Sequence, residues 1–600
     1  RLSSLRVELP LRGILAALWL LTIRGWAQIN SVTPTTPPNI YHIGASGAFP
    51  TIQAAFTALQ TNGLDPTGQG AILRVQDDWD PAAEPNTIAL SSYANHGPNR
   101  PVLLTFADLS APVYLAKAPA TTAGDRFVFR FTGSFSHFTL DGANNLILKS
   151  TATGGTTTGL IGFVSTTSLD LQIDAITVRD IIMHGNGRDN TFSGVYIGQD
   201  GSLTTGTISP GSNIGAVRGI TIEGCTIDSV SRPILVAGIR TNTQNIRILN
   251  DTLGHPTDTA GWCAIGRIGA IHVRGAIGVT VRGNVVHPQR STNGNVAGIR
   301  LDSCEAAAIE RNWIKGVVYL GTGGLGAYGI AVNLPATYSS SSPQTTILNN
   351  MIAGIYADGD IQSSLFTNGT WVISGIWVTA GAAVANAQVS IIHNSINLFD
   401  DPALSGSTLN SYRSASSGIT LGTNIQGGIN IDGNLIQNRL SPRQRATGTA
   451  AYGIMIFNSS LASSTINYQC YNVNASAVNN FIGCLGDPAT AANNHATLAA
   501  WASALGGTSE ANSLIHLPTT GVPFVNDLDL HLVPGSPSIA INAGNAALYN
   551  GTQDFDGETR PLPTNPPGSV NTPPDPGTAP DIGADELDGT PFSCPSSLQA

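Results

Sequence analysis

The strongest constraint on the fold is an eight-residue pattern that recurs seven times through the middle of this 600-residue chain. Its third and eighth positions are aliphatic in every copy, and its sixth position is Asn in five copies. The copies begin 26 to 44 residues apart, as expected when a fixed repeating core carries loops of different length. They lie at residues 220–227 (ITIEGCTI), 246–253 (IRILNDTL), 279–286 (VTVRGNVV), 307–314 (AAIERNWI), 345–352 (TTILNNMI), 389–396 (VSIIHNSI) and 429–436 (INIDGNLI).

The octet predicts a short strand, a corner and the start of a second strand. Positions one and three alternate with the two-residue period of a strand that buries one face. Position six requires a sharp corner, where Asn tolerates the left-handed backbone conformation and its amide can bond the backbone or the Asn of the next coil. Position eight then begins the next inward-facing strand.

A second pattern, Gly-Ile-x-Val in outline, alternates with the octets. Each copy reads as another short strand that is entered through Gly. Two or three strands per turn, joined by corners and not by helices, describe a β-helix whose coils stack at about 4.8 Å. We therefore expect an all-β, right-handed parallel β-helix solenoid. The copies lie at residues 194–197, 298–301, 329–332, 375–378, 418–421 and 453–456.

Composition agrees with this fold and limits the partners. Charged residues make up only 11% of the chain, and 67 residues are Gly. Stacked strands with Gly, Ser, Thr and Asn corners need few charged side chains. The formal net charge of −10 argues against a nucleic-acid partner, which would require a basic stripe.

The N-terminus has the pattern of a secretory signal peptide. Three Arg residues within the first twelve positions precede an apolar run at residues 13–23, and small residues follow as far as Ala27. A membrane anchor is the alternative, but eleven residues are too short to span a bilayer, and no other stretch is apolar enough. We expect a signal peptide at residues 1–27 and a linker at 28–38. Because no Met precedes it, the start reads as fragmentary or over-extended.

One amphipathic helix is predicted at the start of the solenoid. Apolar residues from Ile52 to Leu59 have helical spacing, with Thr51 as the N-cap. We expect a cap at residues 41–63 that covers the open first coil, because a solenoid end exposes a sheet edge and the core. The sequence TIQAA at this point resembles the start of pectin-processing and related secreted β-helix proteins.

A series of C-terminal sequences resembles the terminal coils of large secreted bacterial right-handed β-helix proteins of the surface-protein, adhesin-like type. The resemblance covers nearly all of residues 40–588. It implies a β-helix at 39–589, with terminal coils at about 460–589, on the surface of a bacterium or secreted from it. Residues 590–600 then look like the start of a truncated following segment. The sequences lie at residues 498–501, 527–532, 535–539, 542–544, 554–560 and 581–586.

The six cysteines are even in number, which permits disulfides in an exported chain. None shows the spacing of a metal site. Cys470 and Cys484 are the best candidates for a bridge by proximity in the sequence, but a large solenoid core does not require one.

The outward positions of the second pattern give candidate binding residues. The β-helix polysaccharide lyases and hydrolases that the chain resembles hold their catalytic groups on the outward face of one parallel sheet. The x positions of Gly-Ile-x-Val form a stripe on such a face if the copies stack. They are Tyr196, Arg300, Ala331, Trp377, Thr420 and Met455, and a looser match adds Arg240 and His272.

The richest part of this set predicts a glycan-binding groove lined by Arg240, His272, Arg300 and Asp302, with Trp377 as an aromatic contact. A lyase needs a cation beside the uronate carboxylate and a base, and a hydrolase needs two carboxylates. Both kinds of residue occur here. The alternative, which we favour, is that these residues are solvated rungs that pair across coils at under about 1 kcal/mol each.

The catalytic motifs of the enzymes that the chain resembles are missing. There is no Gly-His-Gly with Asn-Thr-Asp and paired Asp residues, no paired Asp and Arg pattern of a pectin esterase, and no recognisable pectate-lyase calcium cluster. Asp554, Asp556 and Glu558 superficially match a calcium loop but lack its full spacing. A tight acidic corner is the preferred interpretation, calcium is the second, and no other cofactor is expected.

Two functional hypotheses follow. The first is a non-catalytic surface protein, adhesin-like or structural, whose long side presents Thr, Ser, Asn and occasional aromatic residues to polysaccharides or cell-surface glycans. The second is a polysaccharide lyase or glycoside hydrolase with a divergent site, acting on an acidic polysaccharide. The missing catalytic motifs favour the first. Long insertions near Trp262 and at residues 357–371 favour the second, because loops beside a solenoid face often build a cleft.

Overall fold

The structure is a computed structural model. The expected signal peptide, linker and final segment lie outside the residues that it describes. These are residues 39–586 except 67, 122–123, 154–157, 167–169, 188–189, 200–213, 258–268, 292–294, 321–324, 339–343, 358–371, 400–414, 441–449, 459–460, 474–478, 507–508, 517–523, 534–539, 541–542, 550–551 and 561–578.

The described chain forms a right-handed parallel β-helix, as the repeats predict. It winds through three sheets in turn, and each sheet has 13 strands within the described residues. Strand pairing is parallel except where Asn494–His495 closes the third sheet against Asn480–Leu485. Parallel strands joined by crossovers in one sheet take the right-handed sense.

The first sheet carries positions one to four of every octet. Its strands are Asn39–Ile43, Ala71–Val75, Val102–Thr105, Ser134–Asp141, Gln172–Arg179, Val217–Glu223, Thr243–Leu249, Ile277–Arg282, Glu305–Glu310, Thr345–Leu348, Val389–Ile392, Ile429–Asp432 and Thr465–Asn467.

The second sheet carries positions seven and eight. Its strands are Val113–Lys117, Leu146–Ser150, Ile182–His184, Thr226–Asp228, Thr252–Leu253, Val285–Val286, Gln289–Ser291, Trp313–Tyr319, Met351–Tyr356, Ser395–Leu398, Leu435–Asn438, Cys470–Val473 and Leu514–Ile515.

The third sheet carries the Gly-Ile-x-Val pattern. Its strands are Ile88–Leu90, Phe127–Phe131, Gly159–Ser165, Ser193–Gln199, Arg232–Ala237, Gly269–Arg274, Val296–Asp302, Ala327–Leu334, Ile373–Ala380, Ser416–Leu421, Ala451–Ile456, Asn480–Leu485 and Asn494–His495.

The interior is built by stacking like residues on like. The aliphatic side chains at position three pair rung by rung along the first sheet, and those at position eight do the same along the second. Both columns are buried in one continuous core. The repeated aliphatic positions therefore define the inner face.

The corner after the first sheet differs from the expectation in one respect. The residue with the left-handed backbone is at position five, not at position six. It is Gly in three copies and Asn, Arg or His in the others, namely Gly224, Asn250, Gly283, Arg311, Asn349, His393 and Gly433. The sharp turn occurs one residue earlier, so the side chain at position six points into the core.

The Asn residues at position six form a buried ladder. Asn350 illustrates one rung: its Nδ2 donates to Oδ1 of Asn394 at 2.9 Å, and its Oδ1 accepts from the backbone N–H and Nδ2 of Asn312 at 3.0 and 2.9 Å. The same contacts link Asn284 to Asn312 and Asn394 to Asn434. Stacking of Asn on Asn is therefore confirmed.

Each copy of the third-sheet pattern begins with Gly because the third-sheet strand lies very close to the facing second-sheet strand at that point. A Cβ atom on Gly329 would lie 2.3 Å from Cγ2 of Ile352, the position-eight residue of the facing strand. Gly418 faces Ile436 at the same distance. No side chain larger than hydrogen fits there, so the Gly column and the position-eight column determine each other.

The predicted N-terminal helix is present as Ile52–Asn62. Thr51 Oγ1 accepts the N–H of Ala54 at 3.0 Å, and the ring of Phe56 packs against Phe131 and Phe138 inside the first coils. The other helices of the described residues are short: Leu498–Ala504 and Ala546–Tyr549, with 3₁₀ turns at Pro81–Ala83 and Ala491–Asn493. None of the helices in the described part is long and apolar enough to cross a membrane.

The expected proximity of Cys470 and Cys484 is not observed. Cys470 lies on the second sheet and Cys484 on the third, and both are buried free thiols, as are Cys225 and Cys304. Closeness in sequence was a poor guide here, because the chain passes from the second sheet to the third between the two residues.

The C-terminal segment lies across the outer face of the second sheet. Beyond Leu514–Ile515, the described chain adds no further strand to the sheets. The N–H of Ala584 donates to Oγ of Ser395 at 2.9 Å, and Nε1 of Trp313 donates to the carbonyl of Leu528 at 2.8 Å. Ser395 and Trp313 are position-seven residues, so this packing buries the outward column of the second sheet.

Candidate functional site

The predicted stripe exists in the third sheet. Strand register aligns one residue per coil in a single outward column. Its members are Tyr196, Leu235, His272, Arg300, Ala331, Trp377, Thr420, Met455 and Cys484. The looser match that placed Arg240 in this column is wrong, because the strand of that coil is Arg232–Ala237 and Leu235 occupies the position.

This column is buried. All of its members except Arg300 are buried, and even the large side chain of Trp377 is only 4% exposed. A column buried in this way is not an elongated surface open to solvent. The chemistry of the third sheet is therefore confined to one polar cluster within an apolar column.

The polar cluster consists of His272, Arg300 and Asp302. Nε2 of His272 and Nε of Arg300 each lie 2.9 Å from Oδ2 of Asp302. His272 and Arg300 occupy adjacent rungs, and Asp302 follows two residues after Arg300 on the same strand. The side chain of His272 is 2% exposed, whereas that of Arg300 is 19% exposed and reaches the surface.

Burial and pairing determine the charges of this cluster. Burial lowers the pKa of His272 to about 4, although its hydrogen bond to Asp302 acts in the opposite direction. Burial acts to raise the pKa of Asp302, but the hydrogen bond from His272 and the charge of Arg300 hold it below its ordinary value. At neutral pH, Asp302 is ionised and His272 is neutral, so Nε2–H donates to Asp302.

This arrangement leaves one basic nitrogen without a partner. With Nε2 carrying the proton, Nδ1 of His272 holds a lone pair, and it has no hydrogen-bond partner among the described residues. A neutral imidazole whose tautomer is fixed by a carboxylate, with its other nitrogen available, has the form of a His general base. The same three residues also satisfy the simpler description of a structural ion pair.

Trp377 lies two rungs from Arg300 in the same column, with Ala331 between them. Its ring stacks on that of Tyr328, with centroids 4.8 Å apart and planes 15° apart. Sequence reasoning missed Tyr328, although it directly precedes Gly329 in the repeating pattern. The small side chain of Ala331 leaves room for this pair beside the polar cluster.

Arg240 belongs to a different contact. It lies in the turn between the third and first sheets, where Nη1 is 3.1 Å from Oε1 of Glu305 and also donates to the carbonyl of Thr337. Glu305 is fully buried at the start of its strand. Arg240 therefore neutralises a buried carboxylate at the corner.

The proposed calcium residues do not converge. Oδ1 of Asp554 accepts the backbone N–H of Glu558 at 2.7 Å, and Oδ2 accepts that of Glu586 at 3.2 Å, as in a tight acidic corner. Asp556 instead faces His531, with Oδ2 and Nε2 3.2 Å apart. Among the described residues, the one group of three ligand-type side chains within 4.8 Å of one another is His531, Asp556 and Asp585.

An exposed polar column follows the outer face of the first sheet, mainly at position two of the octets. Register aligns its members one per coil, and most of them are half-buried or exposed. They are Thr139, Thr177, Thr221, Arg247, Thr280, Ala308, Thr346, Ser390, Asn430 and Thr465. We refer to this set as the hydroxyl column. Sequence reasoning anticipated such a long side but did not locate it.

No protein-family model and no curated protein matches the chain. Solved structures that are similar to it include XylC in complex with xylose (11% identity, 74% of this chain and 86% of that one, TM-score 0.39), the Dettilon tailspike protein (12%, 82% and 68%, TM-score 0.29) and a family 28 exopolygalacturonase of Yersinia enterocolitica (11%, 76% and 80%, TM-score 0.24). At these identities, the similarity concerns the fold alone.

Proposed function

We propose that this protein is a secreted or cell-surface β-helix that binds glycans without chemical turnover, through the hydroxyl column of the first sheet. The observation that carries the proposal is the column itself. Thr, Ser and Asn side chains recur on successive rungs of an outer face, while the third-sheet stripe is buried.

The hydroxyl column suits a long polymer with hydroxyl groups. Coils stack about 4.8 Å apart along the solenoid axis, and each coil of the column offers one hydroxyl or amide except those of Arg247 and Ala308. Neighbouring groups already interact across coils, since Oγ1 of Thr465 lies 2.6 Å from Oδ1 of Asn430. Thr has few χ1 rotamers and sits on a rigid strand, so little side-chain freedom is lost when a glycan binds.

Binding to immobilised polysaccharides tests the proposal. The full chain is applied to a panel of neutral and acidic glycans, and the affinity for each retained glycan is compared with that of the double variant Thr280→Glu/Thr346→Glu. We expect at least a tenfold loss, because two carboxylates project from the contact face. Thr57→Glu on the N-terminal helix is the matched control and should bind like the wild type.

Two results would contradict the proposal. One is retention of no glycan by the wild-type chain. The other is equal affinity of the double variant and the Thr57→Glu control, which would place any binding surface elsewhere on the molecule.

A second candidate, a polysaccharide lyase, is favoured by one specific observation. His272 is neutral, Asp302 orients it and its Nδ1 is unpartnered, while the adjacent Arg300 reaches the surface. In a lyase, Arg300 would bind a uronate carboxylate and Nδ1 of His272 would remove the neighbouring proton. The burial of His272 ranks this candidate second.

Turnover of uronate-containing polysaccharides separates the two candidates. An enzyme releases unsaturated product that absorbs in the ultraviolet, and His272→Gln abolishes it. His184→Gln is a suitable control, because His184 forms a comparable pair with Asp228, at 2.9 Å, on the second sheet. Absence of product across the panel, or product that survives His272→Gln, eliminates the lyase assignment.

A further inference from the structure

The C-terminal segment brings together a group of side chains with the composition of a metal site. His531, Asp556 and Asp585 come from three stretches of chain separated by 25 and 29 residues, and their ligand atoms lie within 4.8 Å of one another. They meet above the second sheet, where the ring of Trp313 makes edge-to-face contacts with His531 and Phe555.

One carboxylate oxygen of this group, Oδ1 of Asp556, is buried and has no hydrogen-bond partner among the described residues. The side chain of Asp556 is 8% exposed, and its other oxygen lies 3.2 Å from Nε2 of His531, so the carboxylate is directed into the group. Buried polar atoms are otherwise almost always paired, and buried charges are paired or coordinate metals.

The surrounding contacts orient the side chains as ligands. Nδ1 of His531 is hydrogen-bonded to Oδ1 of Asp529, which directs Nε2 toward Asp556 and Asp585. A carboxylate behind the ligating His is the usual outer partner in metal sites. Oδ2 of Asp585 accepts the N–H of Leu532 at 2.7 Å, which fixes that carboxylate as well.

The local charge favours a cation. Asp556 and Asp585 are two carboxylates that lie with one imidazole in a group whose ligand atoms are within 4.8 Å of one another, and Asp529 adds a third carboxylate on the other side of that imidazole. Bringing two or more carboxylates together away from water is unfavourable unless positive charge compensates them.

We propose that His531, Asp556 and Asp585 bind one first-row divalent transition metal ion, of the zinc type, that joins three stretches of the C-terminal segment above the second sheet. One imidazole nitrogen with two carboxylates suits such an ion, whereas calcium prefers oxygen ligands only. In a tetrahedral site with metal–ligand distances of about 2.0–2.2 Å, ligand atoms are about 3.3–3.6 Å apart. Nε2 of His531 and Oδ2 of Asp556 are already 3.2 Å apart, and because all the ligand atoms lie within 4.8 Å of one another, the group needs to contract by about 1.5 Å at most.

Calorimetric titration of the chelator-treated, untagged full chain with Zn²⁺ tests this proposal, with Ca²⁺ titrated in parallel. We expect one Zn²⁺ per chain, weaker or absent heat with Ca²⁺, and a higher melting temperature in Zn²⁺. Asp556→Asn and Asp585→Asn should abolish this binding, and Asp529→Asn should weaken it by about 10- to 100-fold. Asp527→Asn, a more exposed carboxylate of the same segment paired with Arg439, is the matched control.

The spectrum of the Co²⁺-loaded wild-type chain provides a readout that does not depend on variants folding. Nitrogen and oxygen ligands give d–d bands without thiolate charge-transfer bands. Thiolate bands would place the ion at a cysteine and overturn the proposal. Failure to bind Zn²⁺, or equal binding by Asp556→Asn, Asp585→Asn and Asp527→Asn, would do the same.

Discussion

Truncation of one Asn side chain of the buried ladder should destabilise the solenoid strongly, because the neighbouring coils lose their hydrogen-bond partners as well. Asn350 is fully buried, and its amide joins the coils on either side. In Asn350→Ala, the backbone N–H and one side-chain N–H of Asn312 lose their acceptor, and the carbonyl of Ile309 loses a donor 2.9 Å away.

The magnitude follows from these losses. Each buried group left without a partner costs about 1–3 kcal/mol, so the two donors of Asn312 alone give about 2–6 kcal/mol. Asn350→Asp should cost more at neutral pH, because it places a carboxylate against the Oδ1 atom of Asn394 and removes the donors while keeping the shape. Thr346→Ala, on the outer face of the same coil, should change stability by about 0.5 kcal/mol or less.

Hydrogen exchange measured by mass spectrometry is the appropriate assay, because solenoids unfold in parts and one global free energy is not well defined. In Asn350→Ala, peptides covering residues 307–314 and 345–352 should exchange faster, while the distant strand Ser134–Asp141 should not. The denaturation midpoint should fall as well. Unchanged exchange in both peptides, or the same effect from Thr346→Ala, would refute the ladder as a source of stability.

Three further outcomes are expected. Burial raises the pKa of Asp251, so the folded chain keeps a proton that the unfolded chain releases above about pH 4. The wild type therefore loses stability as pH rises above about 4. Asp251→Asn should raise the melting temperature increasingly above that pH, and least below about pH 3, in thermal melts. Gly329→Ala should lower the denaturation midpoint, because its added Cβ clashes with Ile352 at a cost of about 1–3 kcal/mol. Gly381→Ala, whose Cβ would meet no non-neighbouring atom of the described residues within 4 Å, should leave the midpoint in a denaturant titration unchanged. Burial raises the pKa of Cys470 to about 12, so peptide mapping should show alkylation only after denaturation, and labelling of the native thiol would contradict its position.

Local periodicity predicted a parallel β-helix with two or three strands per turn and much of its register. The pattern depends on aliphatic residues at positions three and eight and on Gly before Ile. Contacts with the next coil determine these residue types, so every copy needs the same residue types at these positions. The pattern failed where a coil departs from the consensus. Pro233 stands at a position where most coils have Gly, so this coil lacks the pattern at its strand. The Gly-Ile-Arg sequence that follows led to the assignment of Arg240 to the outward column, whereas Leu235 occupies that position.

The candidate sites were less predictable, because they depend on contacts between distant parts of the chain. His272, Arg300 and Asp302 were found together because they lie on adjacent rungs, but the burial of their column is not encoded in the alternation of the strand. His531 and Asp585 were not recognised at all. They approach Asp556 only because the C-terminal segment packs across the second sheet, and no local pattern describes that packing.

The buried amide chain has a direction. Each backbone N–H of the ladder donates toward the following coil, beginning with that of Cys225 on Asp251 and ending with that of Gln469 on Ser513. Where Asn follows Asn, one side-chain N–H does the same, and the Asn side chain also donates back to a carbonyl of the preceding coil. At the leading end, Asp251 stands where an Asn would donate a side-chain N–H to Asn284, and its backbone N–H makes this contact at 2.9 Å. The series closes on the hydroxyl of Ser513, a group that can accept without continuing it. A coil that is inserted, deleted or exchanged must preserve this direction of hydrogen bonding. The solenoid can therefore be lengthened only by coils that accept from the preceding coil and donate to the following one.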